Sequence, residues 1–170
     1  WEIKKIKDVS KLLVPLRDKP KEFVGNIPWL TLKDFDGKYV SKSKRGNNVT
    51  LETVKKMNLT IFPVGTVVYS ISATIGICSI TTAKLITNQR FIGVVPTPKI
   101  DKEFLYYFLN TQKENILRVG TGSIHSYTSK DQFGKLIIVI PPLPEQQQIV
   151  SILSNIDTQI QKEKIHKSNL

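Results

Sequence analysis

The sequence predicts an α+β fold: a strongly twisted, mostly antiparallel sheet with short helices, followed by one long C-terminal helix. Three observations carry this reading. Short runs rich in Val, Ile, Thr, Tyr and Phe, broken by Pro and Gly, fill residues 59–96 and return at 136–140. Two stretches, near 50–58 and 101–116, set apolar residues at helical spacing behind Thr50 and Asp101, both good capping residues. After Pro144 the chain runs to Leu170 with no Gly or Pro, and Ile149, Ile152, Leu153, Ile156 and Ile160 recur three or four apart.

Taken in order, Trp1–Leu13 alternates weakly and reads as a short strand with a helical turn. Pro15 and Pro20 mark an irregular stretch. Ile27-Pro28-Trp29-Leu30 reads as an edge strand, where proline is tolerated. Lys38, Lys42, Lys44, Arg45, Asn47 and Asn48 lie in a basic loop among Ser and Gly. Flexible cations of this kind suit phosphates, which require charge and reach more than shape.

Leu51, Val54 and Met57 then give a short helix one apolar face, ending near Asn58. Leu59–Phe62 and Thr66–Ile71 are strand runs around Pro63-Val64-Gly65. Ser72–Gly76 is a turn of small residues, which lets backbone approach a ligand closely. Strand Ile77–Ile80 follows, then Asn88-Gln89-Arg90 leads into strand Phe91–Val95. Phe104, Leu105, Phe108, Leu109 and Ile116 form the core face of the second helix. Residues 120–130 form a loop by composition. Leu136–Ile140 is continuously apolar, which predicts a central or buried strand.

The last element begins at Ile140-Pro141-Pro142-Leu143-Pro144-Glu145. Two prolines stop the strand, and Pro144 suits a first helical turn, where Glu145 also favours the helix dipole. The expected division is 1–142 for the body and 143–170 for the helix. Little sequence remains on which its stripe could pack. Ile149, Ile152, Leu153, Ile156 and Ile160 are therefore expected on a second helix, most simply a second copy running antiparallel.

The net charge is +11. Residues 1–60 carry fourteen Lys or Arg against seven Asp or Glu, while 141–170 carry three of each. A basic body with a neutral, apolar-striped helix points to two surfaces, one for a polyanion and one for protein. Cys78 is the sole cysteine, which excludes an internal disulfide and a cysteine zinc cluster. With no run of transmembrane length and no signal peptide, the expected location is the cytoplasm. A start at Trp1 and a stop in mid-helix suggest a piece of a longer protein.

The strand followed by Pro-Pro-Leu-Pro-Glu-Gln-Gln-Gln-Ile-Val at 141–150 and Ile-Leu-Ser-Asn-Ile-Asp-Thr-Gln-Ile at 152–160 resembles a known junction. It is similar to that of the specificity (S) subunits of type I restriction-modification enzymes, where a target recognition domain leads into a spacer helix. The opening Trp-x-x-x-x-Ile-x-Asp-Val, Pro28-Trp29, residues 65–76, Asn88-Gln89 and the loop 120–129 resemble the same family. Thr66 departs from it, standing where Asp is common. The resemblance implies double-stranded DNA as ligand and one half of a bipartite target read per domain. It also implies a second recognition domain or second copy paired through the helix, with methyltransferase and restriction subunits docked around it. A related type II specificity subunit would read almost the same.

Residues expected to read bases are Ser72, Thr74, Asn88, Gln89, Arg90, Thr121, Ser123, His125, Tyr127 and Ser129. They lie in small-residue loops at strand ends and offer amide, hydroxyl and imidazole groups to base edges. Lys38, Lys42, Lys44, Arg45, Asn47 and Lys130 are expected on phosphates. No cofactor and no metal is implied. Ile140-Pro141-Pro142-Leu143 lacks the Asn or Asp and the aromatic of an amino-methyltransferase motif. No P-loop or dinucleotide fingerprint exists. Two different classes remain open: a self-contained metal-dependent nuclease built on Asp34, Asp36 and His125, and a pure protein-interaction module. Cys78 with His125 as a nucleophilic pair is a third, weaker option.

Overall fold

The computed structural model describes residues 1–16, 18–119 and 128–168. In chain order the elements are β1 (Glu2–Lys5), α1 (Ile6–Val9), β2 (Ser10–Leu13), β3 (Ile27–Leu30), β4 (Tyr39–Val40), β5 (Asn48–Val49), α2 (Leu51–Lys56), β6 (Val67–Ser70), β7 (Cys78–Thr81) and β8 (Ile86–Thr87). They continue with β9 (Phe91–Pro96), α3 (Lys102–Asn110), α4 (Lys113–Val119), α5 (Lys130–Gly134), β10 (Ile137–Ile140) and α6 (Leu143–Ser168). The α+β class holds, as do mostly antiparallel pairing and the long last helix.

The described strands form three sheets rather than one. The largest has the order β2-β9-β6-β7-β4, and β5-β3-β8 and β1-β10 stand apart from it. Two of the pairings, β3–β8 and β4–β7, are parallel. Strand β6 lies in the middle of the large sheet and its side chains alternate between two cores. Val67 and Tyr69, with Ile71 just beyond, face a core shared with α3 and Phe133. Val68 faces a second core with Leu30, Phe35, Phe62 and Phe91. Next to β6, Gly93 of β9 is required: a Cβ there would come within 2.9 Å of the Phe62 ring.

Several expectations from local sequence change. Ile27–Leu30 is the middle strand of its sheet, not an edge. Pro28 is tolerated because the two ladders hold different halves: β5 pairs Ile27 and Pro28, while β8 pairs Trp29 and Leu30. Leu59–Phe62 contributes a single bridge, Phe62 to Leu85. The second helix breaks at Thr111, so Ile116 belongs to α4. Residues 130–134, of which only Lys130 falls in the expected loop and 131–134 carry no expected element, form α5, which Ser129 caps by accepting from the Gln132 N–H. Strand β10 is not central. It pairs β1 alone, and its burial alternates, with Ile138 and Ile140 inside and Ile137 and Val139 51% and 44% exposed.

Helix α6 spans 26 residues, about 39 Å at 1.5 Å per residue. Its first turns do have a partner in this chain, contrary to expectation. Ile149 and Val150 pack against the main core, so Ile149 is largely occupied by its own body. Gln146, fully buried, ties the helix down. Its amide donates to the carbonyls of Lys99 and Pro141 at 3.1 and 2.9 Å and accepts from the Asp101 N–H at 2.8 Å. Asp101 in turn caps α3, accepting from the N–H groups of Glu103 and Phe104. Further along, Gln146, Val150, Ser154 and Asp157 share the body-facing side. The isoleucine stripe lies roughly a quarter turn away at about 100° per residue. Leu153 is half-buried, while Ile152, Ile156 and Ile160 are 61%, 45% and 45% exposed.

Candidate nucleic-acid interface

The end of β6 is a meeting point for three of the predicted loops. Ile71 donates its N–H to the Arg90 carbonyl at 2.8 Å, and its own carbonyl accepts from the Thr128 N–H at 3.3 Å. The turn 72–76 and the turn 88–90 therefore meet at one residue, to which Thr128 is tied as well. Ser70, buried at the end of β6, shapes the first turn: its hydroxyl donates to the Thr74 carbonyl and accepts from the Ile77 N–H at 2.8 Å. Ala73 takes the left-handed conformation at φ 61°. Thr74 is exposed and Ser72 half-buried. In the second turn the Asn88 side chain accepts from the Arg90 N–H at 3.1 Å, leaving Gln89 and Arg90 exposed.

The basic loop adjoins this edge through β3. Asn88 donates its N–H to the Leu30 carbonyl at 3.2 Å. The next residues, Thr31–Asp34, turn back and fold the basic loop onto themselves. Asp34 is 5% exposed, and one of its carboxylate oxygens accepts from the Thr31 N–H at 2.7 Å and the Thr31 hydroxyl at 3.1 Å. The other accepts from the Lys44 N–H at 2.7 Å and the Ser43 hydroxyl at 3.2 Å. Lys42, Lys44 and Arg45 project from this anchored loop and are exposed, and Asn47 is half-buried, its carbonyl accepting from the Trp29 N–H. The Lys44 ammonium reaches Asp36 at 2.6 Å. Its hydrogen bond and charge draw the Asp36 carboxyl below the usual range.

Not every predicted residue joins this edge. Lys38 is turned the other way: its ammonium lies 2.6 Å from Glu103, 3.1 Å from the Tyr107 hydroxyl and 3.2 Å from the Ser154 hydroxyl. It fastens the body to α3 and α6 and is not presented with the basic loop. The reason is β4, whose parallel pairing with β7 aims residue 38 at α3. The Ser129 hydroxyl is spent on the α5 cap, and Lys130 opens that helix, exposed. Thr121, Ser123, His125 and Tyr127 lie outside the described residues.

The nuclease alternative loses its acids. The four hydrogen bonds above occupy both oxygens of Asp34, and Asp36 is exposed and paired with Lys44. The described residues hold no group of three or more His, Cys, Asp and Glu suited to a metal. Cys78 is buried, and burial pushes its thiol pKa up, away from the thiolate that nucleophilic chemistry requires. Sequence reasoning missed three residues. Asp34 organises the basic loop, and the Thr31-x-x-Asp34 capping pattern was its signal. Lys33, exposed on the same turn, adds a cation beside the loop. Ser70 sets the first turn, with no local signal to mark it.

Loops gathered at one edge of a basic body, with a helix leading away from it, are the arrangement of a recognition module. The chain belongs to the type I restriction modification DNA specificity domain family, whose model matches residues 1–169. It is 33% identical over 172 residues to the specificity subunit of the type I restriction enzyme MjaIX from Methanocaldococcus jannaschii, covering 96% of this chain and 39% of that protein. It is 29% identical over 142 residues to the EcoR124I/EcoR124II specificity subunit from Escherichia coli, covering 79% and 34%. The fold is similar to the HsdS subunit from Thermoanaerobacter tengcongensis, with a TM-score of 0.73 over 98% of this chain and 39% of that one, at 17% identity. The chain thus spans less than half the length of each of these proteins. No helix among the described residues is long and apolar enough to cross a membrane.

Proposed function

We propose that this chain reads one half of a split double-stranded DNA target, as a non-catalytic specificity component of a type I restriction-modification enzyme. Residues 1–142 do the reading. The helix 143–170 sets the distance to a second recognition domain or a second copy, and methyltransferase and restriction subunits assemble around it in the cytoplasm. The observation that carries this reading is the convergence at Ile71. Two turns that carry short donors and acceptors, 72–76 and 88–90, meet at one strand end with Thr128, and the strand that holds Asn88 leads to an anchored loop of exposed cations. That combination separates sequence readout from phosphate holding, as DNA recognition requires. The open face of Ile152, Ile156 and Ile160 supports the pairing part of the proposal.

The test is selection from a duplex library randomised over two half-sites with a variable gap. The specificity protein, assembled with its methyltransferase subunit, should enrich a single half-site through this domain. Enrichment of no sequence, at any salt concentration that permits binding, would overturn the reading.

A further inference from the structure

We propose that Asp34, a negative charge inside the phosphate-holding edge, is a positioning residue without which the cationic loop does not grip DNA. The inference rests on the DNA-recognition reading above. A carboxylate near phosphates repels them, so charge alone argues against its presence there. Geometry argues the opposite. The Thr31 N–H donates to one oxygen and the Lys44 N–H to the other, both at 2.7 Å. Backbone N–H groups can only donate, so the side chain at position 34 must accept at both ends, and only a carboxylate does so. The Ser43 and Thr31 hydroxyls complete the set. Asp34 therefore pins the start of the Lys44-Arg45 turn to the Leu32–Asp34 turn, which follows directly on the strand that holds Asn88. Without the pin, residues 43–46 lose their fixed place against the Leu32–Asp34 turn, and each phosphate contact must order the loop as well as bind.

Asp34→Asn removes a charge and keeps the shape, but any orientation of its amide sets an N–H₂ against a backbone N–H. Asp36→Asn removes a neighbouring charge that touches only the Lys44 side chain. Charge alone predicts tighter DNA binding for both. Positioning predicts opposite signs: Asp36→Asn binds as well as wild type or tighter, while Asp34→Asn weakens roughly tenfold. Its slope of log affinity against log salt should also shrink by about one phosphate contact, near 0.9. Ser43→Ala, which removes one contact to Asp34 and the acceptor of the Arg45 N–H within the loop, and leaves both backbone contacts of Asp34 in place, should move both quantities the same way by less. This keeps the test open should Asp34→Asn fail to fold, as judged by circular dichroism. Wild type without affinity for any duplex would sink the DNA reading itself. Wild type that binds, with a folded Asp34→Asn that binds as well or keeps the full slope, would overturn the positioning role. An unfolded Asp34→Asn together with an unchanged Ser43→Ala would overturn it too.

Discussion

The ammonium of Lys38 lies 2.6 Å from the Glu103 carboxylate, with side chains only 17% and 22% exposed, and the pair joins three elements. Tyr39 donates to the other Glu103 oxygen at 2.6 Å, and Tyr107, beside Lys38, donates to Asp157 of α6 at 2.6 Å. Strand β4, helix α3 and helix α6 are thus clamped by one polar network, about two to three turns beyond the first seat at Gln146. Two fixed points on a rigid helix set its direction.

Breaking the clamp should free the helix without unfolding the body. Lys38→Met or Glu103→Gln is expected to cost about 1–2 kcal/mol, between an exposed pair and a fully buried one. Hydrogen exchange should rise in residues 151–168 while β6 and β9 stay protected. Equal protection of α6 in wild type and variants would count against a clamp.

The same network sets a pH window. Burial alone would raise the Glu103 pKa, but hydrogen bonds from Lys38 and Tyr39 outweigh it and hold it below the ordinary 4.5. Burial also opposes the charge on Lys38, yet Glu103 and Tyr107 raise its pKa above the ordinary 10.5. A lowered carboxyl contributes stability that is complete above pH 4.5 and lost as pH falls through the lowered value. A raised lysine contributes stability complete below pH 10.5 and lost as pH rises through the raised value. Helix docking, followed by fluorescence transfer between dyes on β2 and on residue 165, should be flat between those limits and fail in acid. Glu103→Gln should lose the acid transition; its persistence would place the transition elsewhere.

Gln146→Leu should be the most damaging single change at the junction. It strands the carbonyls of Lys99 and Pro141 and the N–H of Asp101 in a site with no exposure. Each unmet buried group costs about 1–3 kcal/mol, so the thermal midpoint should fall by several degrees. A midpoint unchanged in calorimetry would mean that water replaces the amide.

Ile156→Asp tests the open stripe. A charge buried against a second helix without a partner costs several kcal/mol. Association seen by sedimentation equilibrium should fall at least tenfold, with monomer stability unaltered because Ile156 touches no core of its own chain. Identical self-association would show that the stripe is not the pairing face.

On DNA, the two groups of residues should separate. Lys44→Ala should weaken all duplexes alike and lower the salt slope by roughly one. Gln89→Ala or Arg90→Ala should cost about 1–3 kcal/mol on the cognate half-site alone. Competition between cognate and scrambled duplexes reads the difference. An unchanged ratio for both variants would move the readout to other residues.

The class, the capped starts of α2 and α3 and the start of α6 were legible because their signals are local: proline stops, capping residues and a three-four repeat. What escaped depends on distant neighbours. Nothing near Lys38 distinguishes it from Lys44; the pairing of β4 with β7 turns one toward α3 and leaves the other at the surface. The strand at 137–140 is apolar at every position, so its alternation could not be read until β1 was placed beside it. Gln146 stands in the junction motif, but its reason for being a glutamine lies in Lys99, Asp101 and Pro141, which only the folded chain brings together. Asp34 and Asp36 look like a pair on paper, and burial separates them.

The ladder between β1 and β10, with the Trp1 indole donating to Glu145 at 2.8 Å, joins the first residues to residues near 140. That pairing cannot form until almost the whole body has been synthesised, because residues 137–140 are made long after residues 2–5. The loop it closes is the longest in the molecule, and its entropy must be met by contacts already in place. The β1–β10 ladder, and the seat of α6 that follows it in the chain, can therefore close only after the intervening segments have been made. A nascent chain presents its isoleucine stripe in a fixed orientation only when the body that accompanies it is complete.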